Sequence, residues 1–162
     1  MDDVMLLKTL ENNPRIALDD LAAVLNEDAD AVRIEVARLE KEKVIGGYHT
    51  VINWDKTASE HVSAIIEVSA KPQRDVGYDQ IADKIARFEE VSSVYLMSGR
   101  SEFMVFLQGR TMREIADFVG QKLAPIDGVI STATSFLLKK YKVEGILMEQ
   151  EELQDERQLV EP

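Results

Sequence analysis

The stretch LDDLAAVLNEDADAVRIEVARLEKEK, residues 18–43, carries two helical patterns separated by a short polar turn. Apolar residues at helical spacing predict a first helix over roughly residues 19–25. Asp28 closes the turn, and its carboxylate can accept hydrogen bonds from the free amides at the start of the next helix. That next helix covers about residues 29–43. Its predicted buried stripe consists of Val32, Val36 and Leu39.

A further helical stripe precedes this stretch, over residues 3–12, and Asn13-Pro14 ends it. Three helices within about 43 residues, with a short turn between the second and the third, match the helix-turn-helix pattern. Any small three-helix bundle has the same helix count, so the count alone is weak support. After the third helix, Gly46-Gly47 supplies a turn, and the β-branched residues up to Asn53 predict an extended arm or wing.

The second half of the chain changes from a helical to an alternating period. The predicted strands cover residues 61–70, 91–97, 102–107 and 129–143, and the predicted helices cover residues 75–89 and 112–123. The order βαββαβ predicts an α+β fold with a ferredoxin-like sheet that carries both helices on one face. The other face of such a sheet is exposed unless something covers it, and a second subunit is the usual cover.

Composition narrows the class of protein. The chain has 162 residues, of which 45% are hydrophobic and 30% charged, a profile typical of globular proteins. No apolar run approaches the ~20 residues that a membrane span needs, the N-terminus does not resemble a secretion signal, and cysteine is absent. We therefore expect a cytoplasmic protein with no membrane partner, no disulfides and no thiolate chemistry.

The sequence carries no motif for catalysis, metals or cofactors. Two histidines, His49 and His61, are too few for a metal site unless acids join them. Neither G-x-G-x-x-G nor G-x-x-x-x-G-K-[ST] occurs, so no nucleotide-binding loop is indicated. We expect no catalytic residues, no metal and no cofactor.

The net charge of −11 is concentrated towards the two ends of the chain. Residues 1–46 hold six basic and eleven acidic side chains, and residues 149–162 hold one and six. A chain with this balance has no overall attraction for phosphate, so binding to nucleic acid requires a local basic face.

Two segments resemble a known family. Residues 38–53, RLEKEKVIGGYHTVIN, resemble the RLEEEGVIxGYxAVID stretch of the Lrp/AsnC (feast/famine) transcriptional regulators. Residues 125–129, followed by Thr132, Thr134 and residues 139–142, are similar to that family's last helix-to-strand join and final strand. The likeness runs from about residue 3 to residue 145, in the family's order and spacing.

The resemblance implies a winged helix-turn-helix domain at residues 1–50 that binds double-stranded DNA, and a linker at residues 51–60. It further implies a ligand-sensing and oligomerisation domain (the RAM domain) at residues 61–148, followed by an acidic tail at residues 149–162. Family members form dimers through their sheets, and often octamers. Amino acids bind between those dimers, around the loop joining the second and third strands, and bias the assembly or the geometry of the DNA.

The candidate DNA-binding residues lie before the second helix and on the outer side of the third. They are Arg15, Asp30, Ala31, Arg33, Ile34, Ala37 and Arg38. Residues 29–43 hold four bases and four acids, so we expect this helix to bind phosphate weakly. A second interpretation of the arginines at 33 and 38 stays open, namely solvated helix surface paired with Glu35 or Glu42.

The candidate effector-binding residues lie on one strand-joining loop and on the last strand. They are Ser98, Gly99, Arg100, Ser101, Glu102, Thr132 and Thr134. The loop corresponds to Thr-Gly-Asp-Tyr-Asp in the family, and Arg100 reverses the sign of the first acid. An arginine fork prefers carboxylate or phosphate, so we expect the effector to differ from the family's usual amino acids while remaining an amino acid or another small carboxylate. A hairpin tip that binds nothing is the alternative.

Two other functions and one local weakness follow from departures from the family pattern. The acidic N-terminal half is compatible with an oligomeric ligand-sensing module that does not bind DNA. An enzyme similar to the siroheme decarboxylases is a remote alternative, because residues 94–98 contain no histidine and aromatics make up only 6% of the chain. Ala17 stands where the family has a Ser or Thr cap for the second helix, so we expect that helix to be uncapped.

Overall fold

The chain divides into two compact units, Met1–Thr50 and Val51–Pro162, which we call the head unit and the sheet unit. The computed structural model describes residues 2–72, 74 and 77–149. Of the acidic tail it therefore describes Glu149 alone, and the rest of that predicted segment lies outside the described residues.

The head unit contains three helices, as the sequence predicts: α1 (Asp3–Asn12), α2 (Leu18–Leu25) and α3 (Ala29–Lys41). They enclose a small apolar core. Its buried side chains are Leu6, Leu21, Ala22, Val32 and Leu39. The last helix ends two residues before the predicted boundary, because Lys43 adopts a left-handed φ of 60°. A non-glycine residue in that region interrupts the helical hydrogen-bond pattern.

The predicted wing is not formed as a strand pair in this protomer. Among the described residues 44–53, none takes part in a β-ladder. The β-branched residues there favour an extended backbone, but an isolated strand leaves its N–H and C=O groups without a partner strand. The fold class is therefore α+β, with a three-helix head unit and no wing hairpin in the described segment.

The sheet unit follows the predicted βαββαβ order and adds a short hairpin at its end. Its elements are β1 (Val62–Ala70), α4 (Asp79–Ala86), β2 (Val91–Leu96), β3 (Phe103–Gly109), α5 (Met112–Phe118), β4 (Val129–Phe136), β5 (Lys142–Val143) and β6 (Ile146–Leu147). A single 3₁₀ turn at Trp54–Lys56 precedes them. The four long strands form an antiparallel sheet in the order β2-β3-β1-β4.

Alternation along the strands separates a buried face from an open face. Ile66 on β1 and Val105 on β3 are cross-strand partners and are fully buried. They pack in one cluster with Ile81 and Ile85 of α4 and with side chains of α5. Their neighbours along the strands point to the opposite side, since successive side chains alternate. That opposite side, the open face, carries Ile65, Glu67, Met104 and Phe106.

The predicted end of the last long strand in the sheet unit was wrong. The predicted strand over residues 129–143 ends at Phe136, which is the last residue of β4 in register with β1, opposite Ala64, although the amide of Leu137 still donates a hydrogen bond to the Ser63 carbonyl at 2.9 Å. The chain then forms the hairpin of β5 and β6, whose turn holds Glu144 and Gly145 at positive φ.

The predicted helix over residues 112–123 changes from α to π geometry at Val119. The helix predicted over residues 75–89 is described as α4, and residues 75 and 76 lie outside the described part.

Candidate functional site

Helices α2 and α3 meet through a tight turn with defined ends. Asn26 terminates α2 in the left-handed conformation, at φ 53°. Asp28 caps α3, and its Oδ1 accepts hydrogen bonds from the amides of Asp30 at 2.9 Å and Ala31 at 3.3 Å. The amides that begin α3 are thereby satisfied locally, as the sequence predicts. At the other end of the pair, Ala17 gives α2 no side-chain cap, which is also as predicted.

The outer side of α3 is free of packing within the head unit. All seven predicted DNA-contact residues are exposed to solvent. Successive side chains of a helix are rotated by about 100° around its axis, so a stripe of residues lies on the side of α3 opposite the buried Val32 and Leu39. This outer stripe consists of Asp30, Ile34, Ala37 and Lys41. Arg33 and Arg38 lie on its two flanks rather than at its centre.

Both arginines of α3 are engaged by carboxylates. Arg33 bonds Asp30, one turn earlier on the same helix, at 2.5 Å. Arg38 bonds Glu35 and Glu42 on its own helix, as the second interpretation of the sequence expects, and in addition Asp3 on α1 at 2.9 Å. The hydrogen bond from Arg38 lowers the pKa of the Glu35 carboxyl, and Glu35 in turn raises the pKa of Arg38. The Glu35 carboxyl is therefore more readily ionised beside Arg38.

Lys41 is a candidate contact that the sequence argument omitted. It lies four residues after Ala37 and seven after Ile34, so it continues the outer stripe by one turn. Within the described part of the chain no ion pair involves Lys41, in contrast to both arginines. The spacing alone could have identified it.

The predicted effector loop is the tip of the β2–β3 hairpin. Ser98, Gly99 and Arg100 are exposed, whereas Ser101 and Glu102 are half-buried. The Glu102 carboxylate is already in use, because its Oε2 accepts a hydrogen bond of 2.8 Å from the amide of Ala70 at the end of β1. One carboxylate oxygen is thus committed to holding the loop against the sheet.

Thr132 and Thr134 lie away from this loop within one protomer. A row of paired residues crosses the sheet from Phe103 on β3 through Val68 on β1 to Thr132 on the edge strand β4. Two strand spacings, about 10 Å, therefore separate Thr132 from the hairpin strand that carries Glu102. The structure brings the loop residues together with one another but does not bring the two threonines to them.

Neither histidine lies in a group of metal-binding side chains, and no cluster of three such side chains occurs among the residues that the structure describes. His49 is exposed. His61 stacks on Trp54, with 4.6 Å between the ring centroids and 16° between the planes. No helix in the described ranges is both long enough and apolar enough to cross a membrane.

Comparison with known proteins defines the class. Residues 63–147 match the family model described as the Lrp/AsnC ligand binding domain. The chain is 42% identical over 158 residues to an uncharacterised HTH-type transcriptional regulator, YugG, of Bacillus subtilis, covering 97% of this chain and 95% of the relative. It is 31% identical over 140 residues to the HTH-type transcriptional regulator LrpA of Pyrococcus horikoshii, covering 86% and 96%.

Solved structures share the fold. The leucine response regulatory protein of Mycobacterium tuberculosis superposes with a TM-score of 0.74 at 22% identity, over 92% of this chain and 100% of that chain. The feast or famine regulatory protein of the same organism, complexed with L-methionine, superposes with a TM-score of 0.70 at 23% identity, over 91% and 99%. The chain belongs to the Lrp/AsnC family of transcriptional regulators. The resemblance stated from the sequence is confirmed, and regulation of transcription is supported over the two alternatives.

Proposed function

We propose that the head unit binds double-stranded DNA with α3 as its recognition helix, and that the sheet unit assembles subunits and senses a small ligand. The observation that carries the proposal is the pair α2 and α3, joined by a capped turn, with an outer stripe on α3 that packs against nothing in the head unit. A helix presented in this way is the element that enters a major groove. The names of the relatives, HTH-type transcriptional regulators, support the same function.

Within this proposal, the outer stripe of α3 divides the contacts by chemistry. Ile34 and Ala37 offer apolar surface suited to a thymine methyl group. Lys41 offers a charge suited to a phosphate, and Arg33 reaches phosphate or guanine once it releases Asp30. Arg15, exposed just before α2, meets the backbone of the DNA. The contact set is small, so binding depends on low salt and on more than one head unit.

Fluorescence anisotropy with the DNA upstream of the gene itself tests this function. We expect an affinity for this DNA that weakens between about 50 and 200 mM salt. We expect Lys41→Gln to reduce the slope of log K against log salt by about 0.9 for each head unit. Lys84→Gln, the same change at an exposed position of α4, serves as the matched control and leaves the slope unchanged. If no binding is detected at any salt concentration, the DNA-binding proposal is wrong, and the alternative of an oligomeric ligand-sensing module that does not bind DNA is favoured.

We propose that the open face of the sheet pairs with the same face of a second copy, giving a homodimer that can assemble into an octamer. The open face carries Ile65, Met104 and Phe106, and Tyr95 packs edge-on against Phe106 at 5.9 Å. Apolar side chains on an uncovered sheet face favour association. Light scattering should therefore show a dimer or a larger assembly, and Phe106→Asp should shift it towards the monomer. A monomeric parent chain would contradict the proposal.

For the effector we propose an amino acid or another small carboxylate at residues 98–102. The exposed guanidinium of Arg100 is the group suited to the carboxylate. Because Thr132 and Thr134 lie across the sheet, they join the loop only if a neighbouring protomer brings them there. Calorimetric titration with L-methionine, the ligand in one structural neighbour, should give weaker binding for Arg100→Gln than for the parent chain.

We infer that the protein acts in transcription without catalysing a reaction, and that it works in the cytoplasm where bacterial and archaeal DNA lies. The relatives and neighbours named above are all regulators by their printed names. Residues 1–50 then serve as the DNA-binding domain, residues 51–60 as the linker, residues 61–148 as the sensing and assembly domain, and residues 149–162 as the acidic tail.

A further inference from the structure

The side chain of Arg38 joins two helices of the head unit through three carboxylates. Its Nη2 bonds Asp3 Oδ2 on α1 at 2.9 Å, and its Nη1 bonds Glu42 Oε2 at 2.6 Å. Its Nε and Nη2 both bond Glu35 Oε1, the former at 2.9 Å. A guanidinium presents its donors in one rigid plane, so four bonds in three directions fix the side chain more firmly than a single ion pair does.

The bond to Asp3 spans an unusual distance along the chain. Asp3 and Arg38 are 35 residues apart. The other side-chain hydrogen bonds that the structure describes within residues 2–50 join residues no more than eight apart, the longest being that between Tyr48 and Glu40. Asp3 begins α1, and Arg38 lies in the last turn of α3. Their bond therefore connects the start of one helix to the end of another.

Arg33 is held quite differently. Its guanidinium bonds a single carboxylate, Asp30, on its own helix, and its side chain is 64% exposed against 41% for Arg38. One exposed ion pair is easily exchanged for a phosphate. To reach a phosphate, Arg38 would have to leave three carboxylates, of which Glu35 and Glu42 would then lie uncompensated beside the DNA.

We infer that Arg38 is a positioning residue, which ties the start of α1 to α3 and so orients α3 for DNA, and that it does not itself contact the DNA. The inference rests on the proposed DNA binding and changes the assignment of this one residue. It predicts that Asp3, which no phosphate would approach favourably, supports DNA binding through Arg38.

The sign of the effect of Asp3→Asn on DNA affinity separates the two roles. If Arg38 positions α3, Asp3→Asn weakens binding by about fivefold, and Arg38→Met weakens it at least as much, because it also leaves Glu35 and Glu42 unpaired. The double variant is then no weaker than Arg38→Met, because both changes remove the same bond between α1 and α3. If Arg38 instead contacts phosphate, Asp3→Asn removes a competing negative charge and strengthens binding. Arg113→Met, which removes an equally charged side chain paired with Asp117 in the sheet unit, is the matched control.

The salt dependence supplies a second readout that a loss of stability alone would not move. For a positioning residue the slope of log K against log salt stays at the parent value in Arg38→Met. Loss of a phosphate contact lowers the slope by about 0.9 for each head unit, and that result would overturn the inference. Circular dichroism at the temperature of the binding measurement verifies that the helices remain folded.

Arg38→Lys keeps the inference testable where Arg38→Met fails to fold. A lysine can neutralise a phosphate as well as an arginine does, but its point charge cannot bridge three carboxylates in fixed directions. Parent-like binding by Arg38→Lys would contradict the positioning role, and weakened binding with an unchanged slope supports it. Failure of the parent chain to bind DNA removes the proposed function itself, whereas binding with a reduced slope in the variants removes only this inference.

Discussion

The head unit and the sheet unit are each stabilised internally by different interactions. The sheet unit buries thirteen hydrophobic side chains in one described cluster, and edge-to-face ring pairs such as Phe88 with Phe118 add to it. The head unit buries five, and the network around Arg38 on its surface links α1 to α3. Interlocked apolar side chains resist reorientation, whereas exposed ion pairs are solvated and screened by salt. The unit assigned to DNA is therefore the more adjustable one.

The size of the head unit sharpens this contrast. A folded domain is stabilised by roughly 0.05–0.15 kcal/mol per residue, so a unit of this length has only about 3–7 kcal/mol in total. Every residue of its small core then contributes a large fraction of that stability. In the sheet unit the stability comes from more buried side chains and from a four-stranded sheet, so each side chain contributes a smaller fraction of it.

The largest expected effect is the loss of one core side chain from the head unit. Leu6 is fully buried, and Leu6→Ala should cost about 3 kcal/mol, a large part of the stability of the head unit. The only tryptophan, Trp54, belongs to the sheet unit, so its fluorescence reports that unit separately while circular dichroism reports the helices. Denaturant unfolding should show a shift in the part of the dichroism transition that α1, α2 and α3 contribute, which is the larger part, and no change in the fluorescence transition.

Ile66→Ala, at a fully buried position of β1, is the matched control for that experiment and should shift the fluorescence transition together with the part of the dichroism that α4 and α5 contribute. If the dichroism and fluorescence transitions shift together in both variants, the chain unfolds as one cooperative unit, and the contrast between the two units is wrong.

A smaller effect of opposite sign is expected at the start of α2. Ala17 has the extended conformation of a helix cap, with φ −65° and ψ 148°, but no side chain that can accept a hydrogen bond. Ala17→Ser should supply that acceptor and stabilise the head unit by about 1 kcal/mol, which thermal unfolding followed by circular dichroism can measure. Ala17→Val, which also lacks an acceptor, is the control. Equal melting temperatures for the serine and valine variants would contradict the missing cap.

The smallest effect concerns an ion pair of the sheet unit. Lys122 donates a hydrogen bond to the Glu90 carboxylate, and this bond is the largest cause of the lowered pKa of the Glu90 carboxyl. A carboxyl whose pKa is lower in the folded state adds stability above its unfolded pKa of about 4.3 and loses it as the pH falls through the folded value. Both side chains are more than one-third exposed, so the contribution at neutral pH is only about 0.5 kcal/mol.

Urea unfolding of the parent and of Glu90→Gln at pH 7 and pH 3 measures that contribution. The difference between the two proteins should be smaller at the lower pH, because the carboxyl gains protons as the pH falls towards its folded pKa and the ion pair is lost with its charge. A difference that is equal at both pH values would show that the ion pair is not its cause.

Local patterns predicted most of the secondary structure. The helices of the head unit and the caps at Asp28 and Ala17 depend on residues within one turn, so their positions follow from spacing and residue type. The end of β4 at Phe136 could not be found in this way, because it depends on how far the pairing with β1 continues. The missing wing has the same cause, since a strand needs a partner that no local pattern specifies.

The candidate site divides along the same line. Exposure of the six candidate residues on α3 follows from the helical period, and the pairing of Arg38 with Glu35 and Glu42 follows from spacings of three and four residues. Lys41 follows the same period and could have been found. The distance between Thr132 and the loop at residues 98–102 could not, because strand order rather than sequence order sets it.

The amino-acid sequence by itself determined the two-part division, the order of helices and strands, the uncapped start of α2 and the balance of charges along α3, because each depends on neighbours a few residues away. Only the tertiary structure decided which face of the sheet stays open and that Asp3 reaches Arg38 across 35 residues. Contacts of that kind form when separate elements pack together, and packing depends on the shape of both partners at once. The positioning role that we infer for Arg38 therefore follows from the tertiary structure and could not be predicted from the sequence motif around it.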